Sequence, residues 1–193
     1  NPIRLLLADD HPIVRDGLTA ILSTQPDFEV IGQAGNGAEA VEQAIALKPD
    51  LAEVHNNLGN ALASRGEVAE AIIELKAALQ SRPDYVDAHN NLGNVFVNQR
   101  RFAEAVVEYQ AALRINPGAV EPHYNLATAL IGQGKLAEAE AEYRVVLRLK
   151  PDLVEARFDL GNVLMGRGQT MEALAEYREV LRQRPDWPPV LGR

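Results

Sequence analysis

The spacing of apolar and polar positions changes character near residue 50. The stretch HNNLGNALASRGEVAEAIIELKAAL from His55 recurs as HNNLGNVFVNQRRFAEAVVEYQAAL from His89, an offset of 34 positions, and two further copies follow. Each copy carries two apolar stripes of helical period separated by a break, which predicts paired helices. The first helix of each pair (A) falls at about 52–65, 86–99, 120–133 and 154–167, and the second (B) at about 68–82, 102–115, 136–149 and 170–184. Before residue 49 the rhythm differs. IRLLLA reads as a buried parallel strand, PIVRDGLTAILSTQ as an amphipathic helix, FEVIGQA as a second strand and GAEAVEQAIALK as a second helix.

Columns in the repeats explain why such pairs pack. Leu58, Leu92, Leu126 and Leu160 form one, and Leu62, Phe96, Leu130 and Leu164 another, filling the groove between A and B. Gly59, Gly93, Ala127 and Gly161 let helix A approach its partner closely, as Ala71, Ala105, Ala139 and Ala173 do for helix B. Gly66, Gly134 and Gly168 suit the turn after helix A, with QRR replacing the glycine in the second copy. Pro83, Pro117, Pro151 and Pro185 stop helix B, and Asp84, Asp152 and Asp186 are expected to cap the segment after it.

This period and pattern resemble the tetratricopeptide repeat, an antiparallel helix pair that stacks into a solenoid. The repeats fall at 52–85, 86–119, 120–153 and 154–187, within a repeat region of 49–185 that precedes a short tail, 186–193. The expected fold is therefore mainly α: a four-pair α-solenoid preceded by a β-α-β-α segment.

LLLADDHPIVRDGL and EVIGQAGNGAEAV make residues 3–50 resemble the first half of a response-regulator receiver domain of the LuxR-class type, a flavodoxin-like fragment. The resemblance implies that Asp9 and Asp10 match the acidic pair that helps bind Mg2+ for phosphoryl transfer to a third aspartate. Counting along that pattern puts His55 where the phosphoacceptor would stand, and the later receiver strands have no counterpart. No phosphoacceptor is therefore expected, and Asp9 and Asp10 are expected to form at most a weak, vestigial Mg2+ site. His55 shares a column with His89 and His123 and reads as a packing residue.

The truncated receiver segment is taken as 1–48. Its second helix, 37–48, also fits the helix-B columns through Val41, Ala44 and Pro49, with Gly37 at the helix start. It is expected to double as a helix B and so cap the solenoid. The step at Pro49 and Asp50 suits both patterns. Loss of the third receiver strand leaves one edge of IRLLLA unpaired, which invites a homodimer unless the first repeat shields it. At the far end, Pro188 and Pro189 forbid an ordinary capping helix, and Trp187 is expected to fold back as a lid or to precede further repeats.

Composition narrows the functional classes. A net charge of -8 without Lys/Arg clusters argues against nucleic-acid binding. No segment is long enough to span a membrane, and with no cysteine the chain reads as cytoplasmic. No nucleophile with its base and no P-loop is present, so neither an enzyme nor a cofactor, the weak Mg2+ aside, is expected.

Candidate binding residues lie on the A helices, which line the concave wall of such a solenoid. Asn57, Asn91, Asn125 and Asp159 form one polar column, and Asn60, Asn94 and Asn162, interrupted by Thr128, a second. An amide offers both donor and acceptor to a peptide backbone irrespective of its sequence. The ladder resembles the repeat lining of O-GlcNAc transferases. Glu53, Asp87, Glu121 and Glu155 form an acidic column that suits the helix dipole and favours a basic or neutral extended peptide. Asn56, Glu121 and Asn125 occupy the basic positions of a carboxylate clamp, so a C-terminal carboxylate is not expected as ligand. The leading expectation is a non-enzymatic interaction scaffold. Its alternatives are a two-component signalling protein, and a recombinant or designed chimera without a selected function.

Overall fold

The computed structural model describes residues 2–47 and 52–186. Pro49 and Asp50, on which the junction expectation falls, lie outside the described residues, as do Trp187, Pro188 and Pro189. The chain divides into two compact units, Asn1–Pro83 and Asp84–Arg193. Among the described residues the order is β1 (Ile3–Ala8), α1 (Pro12–Leu22), β2 (Phe28–Ala34) and α2 (Gly37–Leu47), then α3 (Ala52–Arg65) and α4 (Val68–Ser81), completing the first unit. The second unit holds α5 (Val86–Asn98), α6 (Phe102–Ile115), α7 (Val120–Gly132), α8 (Leu136–Leu149), α9 (Val154–Gly166) and α10 (Thr170–Gln183). The protein is thus mainly helical, and no helix of the described residues is long and apolar enough to cross a membrane.

In the first unit β1 and β2 form a two-stranded parallel sheet, with Ile3 opposite Phe28 and Ala8 opposite Ala34. The register slips between Leu5 and Leu6, so that Leu5 pairs with Val30 and Leu6 with Gly32. A Cβ on Gly32 would meet Gln43 of α2 at 2.6 Å and Leu6 at 2.8 Å, whereas the next side chain, Gln33, donates to Thr19 of α1 at 2.8 Å. Successive strand residues point to opposite faces, so α1 and α2 lie on opposite sides of the sheet. β1 packs on β2, α1 and α2. Its other edge has no strand partner among the described residues.

The expectation of a buried first strand is not met. Ile3 is 58% exposed and Leu5, Leu6 and Leu7 are only half-buried. No residue of α1 is buried, and Ile13 is 87% exposed. Two strands and one helix per face cannot close a layer around these side chains. α1 also ends three residues earlier than the periodicity predicts, because Thr24 folds back, its hydroxyl donating to the Ile21 carbonyl at 2.7 Å. α2 lies against β1, β2 and α3.

The helix pairs follow the predicted bounds to within a residue. A Cβ on Gly59 would come within 2.6 Å of Leu75, and one on Gly93 within 2.5 Å of Tyr109. The missing side chain is therefore what lets the B-helix residue seat fully, and Leu75 and Tyr109 are at most 1% exposed. Each such burial contributes about 1.5–3 kcal/mol. Gly66, Gly134 and Gly168 adopt φ of +81°, +74° and +77°, and Arg100 takes the same left-handed turn at +59°. The backbone fastening is common to both residue types, since Glu67 and Arg101 N–H donate to the carbonyls of Leu62 and Phe96, each at 2.9 Å.

The proposed aspartate caps are a second correction. Tyr85 and Leu153 are the N-cap residues of α5 and α9, and neither makes a side-chain cap bond. Pro151 and Asp152 instead form the turn between α8 and α9. Proline favours the second position of a turn, which leaves the aspartate at the third and delays the extended N-cap by one residue. Asp84 likewise stands in the turn before Tyr85.

Candidate functional site

In the first unit Asp9, Asp10 and His11 follow the carboxyl end of β1 and bring potential ligand atoms within 4.8 Å of one another, the one such cluster of three among the described residues. Asp9 Oδ1 accepts from the His11 backbone N–H at 2.8 Å, and that bond holds its carboxyl below the usual range. His11 Nδ1 also lies 2.7 Å from Asp10 Oδ1. Mg2+ is commonly held by one or two carboxylates with several waters, and because both carboxylates here are engaged by His11 the donor set fits at most a loosely held ion. His55 is 8% exposed, with Nδ1 at 2.7 Å from Glu74 of α4. Asn57 and Asn60 are exposed on α3, where Glu53 meets Arg82 at 3.4 Å.

The His55–Glu74 pair belongs to a pattern the sequence reading did not extract. His89 meets Glu108 at 2.7 Å, His123 meets Glu142 at 2.6 Å, and in the last repeat Arg157 meets Glu176 at 2.8 Å. Each fastens helix A to helix B at one constant separation in sequence, and that constant spacing was the available signal. His123 Nε2 and Arg157 Nη2 also reach the carbonyls of Pro117 and Pro151, each at 3.0 Å.

In the second unit the predicted polar columns fall on α5, α7 and α9 and engage in three distinct ways. Asn94 accepts from the Tyr109 hydroxyl at 2.7 Å and Asn162 from that of Tyr177 at 2.9 Å, while the Thr128 and Tyr143 hydroxyls lie 3.3 Å apart. Burial raises the Tyr109 hydroxyl pKa and pushes that of Tyr143 up to about 12. Asn125 donates not to Asn91 but to Asn90 Oδ1, at 3.0 Å, and Asn90 in turn donates to Glu121 Oε1 at 3.0 Å. Asn90 is 4% exposed and was not singled out from the sequence. Asp159 accepts from the Tyr124 hydroxyl, and its burial raises its carboxyl pKa.

Asp87 and Glu121 stand exposed in the first turns of α5 and α7, and the half-buried Glu155 in that of α9 meets Arg184 at 3.7 Å. Asn94, Asn125 and Thr128 line a cavity of about 300 Å³ with Val97, Asn98 and Tyr109. The columns therefore combine in this unit into a polar face with a hydrogen-bonded run, Asn125 to Asn90 to Glu121, along one margin.

Matches to known proteins accord with this architecture. The tetratricopeptide repeat family matches residues 90–153 and 124–188, and a TPR repeat match covers residues 59–100. These spans take in more than half of the sequence, and the chain belongs to the tetratricopeptide repeat family. Among solved structures it is 29% identical, at a TM-score of 0.70, to YrrB, described as a TPR protein with an unusual peptide-binding site, over 77% of each chain. MamA shares the fold at a TM-score of 0.71 and 21% identity, over 76% of this chain and 86% of its own. Over 49 residues the chain is 57% identical to the transcriptional regulatory protein LiaR of Bacillus subtilis (strain 168), which is 25% of this chain and 23% of LiaR.

Proposed function

We propose that the protein is a non-enzymatic interaction scaffold that holds an extended, basic or neutral peptide along the polar face of its A helices. The observation that carries this reading is the run Asn125, Asn90, Glu121 beside the cavity at Asn94 and Asn125. Amides held by one another are oriented before a ligand arrives, which lowers the ordering cost of binding a backbone. Membership of a repeat family of interaction scaffolds and the likeness to YrrB, whose description mentions a peptide-binding site, support it. In the second unit Asn91, Asn162 and Asp159 are proposed to extend the same surface, with Asp87, Glu121 and Glu155 supplying its negative margin; in the first unit Asn57, Asn60 and Glu53 are proposed as peptide-contacting residues of α3.

The test selects a displayed random dodecapeptide library on the full chain and re-measures the selected peptides by calorimetry. Alanine at Asn57, Asn91 and Asn125 together is expected to weaken binding at least about tenfold, the loss of one or two net hydrogen bonds. Unchanged affinity would remove the groove.

The match to LiaR favours a second reading for the N-terminal segment, a receiver remnant of two-component type that lacks its phosphoacceptor. His55 is buried against Glu74 and offers no accessible substitute. Incubation with acetyl phosphate is expected to leave no label, acid-stable or acid-labile; a labelled residue would restore phosphorelay chemistry. The edge of β1 that has no strand partner among the described residues is proposed to pair with a second copy unless the first repeat shields it, since an unpaired strand edge is a ready template for another strand. A monomer by light scattering at high concentration would remove that dimer.

A further inference from the structure

Two cavities of the second unit occupy the same place in successive repeats, at the start of one A helix and against the turn that leads into the next. The earlier one, about 240 Å³, is lined by Val86, Asp87, Asn90, Asn116, Ala119 and Glu121, among others. The later one, about 550 Å³, is lined by Val120, Glu121, Tyr124, Lys150, Leu153 and Glu155, each 34 positions on from its counterpart. Valine and the paired acids are kept. What changes is the wall, where Asn90, Asn116 and Ala119 give way to Tyr124, Lys150 and Leu153.

We infer that the later cavity is a specificity pocket for one arginine side chain of the bound peptide, a claim that rests on the peptide-groove reading and names its ligand chemistry. Tyr124 spends its hydroxyl on Asp159, and its ring stands edge-on to Tyr143 at 5.5 Å, so it offers the cavity fixed aromatic surface. Val120 and Leu153 complete an apolar wall suited to the methylenes of a long side chain. At the mouth, Glu121 is met by the neutral amide of Asn90, and among the described residues it has no ion pair. Glu155 already meets Arg184. Lys150 is the one cation lining the cavity, against two lining carboxylates and Asp159 behind Tyr124.

An apolar plug would desolvate Glu121 without pairing it, and an anion would meet the Glu121 carboxylate, which has no ion pair among the described residues. A guanidinium stacks on a tyrosine ring and forks onto a carboxylate, which a Lys ammonium does less well. Because Glu121 also accepts from Asn90, and Asn90 from Asn125, the pocket is continuous with the polar run that would hold the peptide backbone.

The experiment titrates the isotopically labelled full chain with acetyl-Ala-Ala-Arg-Ala-Ala-amide, and with the same peptide carrying citrulline or norleucine in place of arginine. Amide shifts are expected at Val120, Glu121, Tyr124 and Leu153 with the arginine peptide, and affinity at least about tenfold lower for citrulline, which keeps the shape and loses the charge. Glu121→Gln, at an exposed position, is expected to remove that preference while circular dichroism stays unchanged. Equal binding of arginine and citrulline peptides, or shifts confined to other residues, would overturn the pocket. If those peptides still bind and Asn125→Ala weakens them, only the pocket falls and the groove stands; if no peptide binds, both fall.

Discussion

The segment β1–α2 and the repeats of the second unit are both rich in apolar residues, yet only one of them buries what it has. Among the described side chains of β1–α2, Ala34 alone is fully buried, and the apolar face of α1 presents Ile13, Val14, Leu18 and Ile21 to solvent. Every helix from α5 to α10 has at least two fully buried residues. A repeat brings its own neighbour, because the next copy presents a complementary surface at the same offset. A two-stranded sheet with one helix on each face does not, since too few elements among the described residues lie against its apolar surfaces. Hydrophobic content measures the demand for burial; topology determines the supply.

The contrast can be broken most directly in the core of the repeats. Tyr109→Ala removes a ring that is 1% exposed and packed against Gly93, and it is expected to cost about 3–5 kcal/mol in urea unfolding. A loss below about 1 kcal/mol would mean that the repeats are packed no better than the N-terminal segment.

Asp159 comes next. Burial raises its carboxyl above the ordinary range, so the folded state holds a proton that the unfolded chain has released. The resulting stability is full below the unfolded-state value and is lost as pH rises through the raised one. The Asp159 contribution is accordingly expected to fall as pH rises over that window, so the stability profile of Asp159→Asn diverges there from that of the unaltered chain; an unchanged pH profile in the variant would contradict this assignment.

For the histidine–glutamate pairs between A and B helices, a double-mutant cycle on His123→Ala and Glu142→Ala is expected to give a coupling of about 1 kcal/mol. Additive losses would mean that the recurring pairs are packing alone. Arg100→Gly replaces a side chain held at φ +59° with the residue that the other three repeats use there, and it is expected to stabilise by about 0.5–1 kcal/mol. Finally, Ile13→Ser on α1 should change stability by less than about 0.5 kcal/mol. A larger loss, with a shift in oligomeric state, would show that this face is covered in solution and that the contrast holds only for the isolated chain.

Much of the fold could be read beforehand, and particular residues explain why. The offset from His55 to His89 fixes the helix pairs, and a proline in every repeat and a turn glycine in three of the four punctuate them, so the helix bounds need no tertiary information. The Gly59 and Gly93 columns announce close approach for the same reason. Asp84 and Asp152 misled because the aspartate after a proline serves a turn as readily as a cap, and the choice rests on one backbone torsion. At the candidate site, Asn125 and Glu121 were legible as members of columns. Asn90 was not, because a repeat alignment compares equivalent positions, whereas Asn125 reaches from α7 to a residue one place off its column on α5.

The sequence by itself determined the repeat period, the helix pairs and the acidic and amide columns, because those arise from local periodicity and from residue types recurring at one offset. Tertiary structure alone decided which amides hold one another, that Tyr124 turns its hydroxyl to Asp159 and its ring to a cavity, and that the apolar strand and helix at the N-terminus are only partly buried by the described residues. Each of these depends on how far apart two elements come to lie, and that distance is set by packing between helices rather than by the pattern along any one of them.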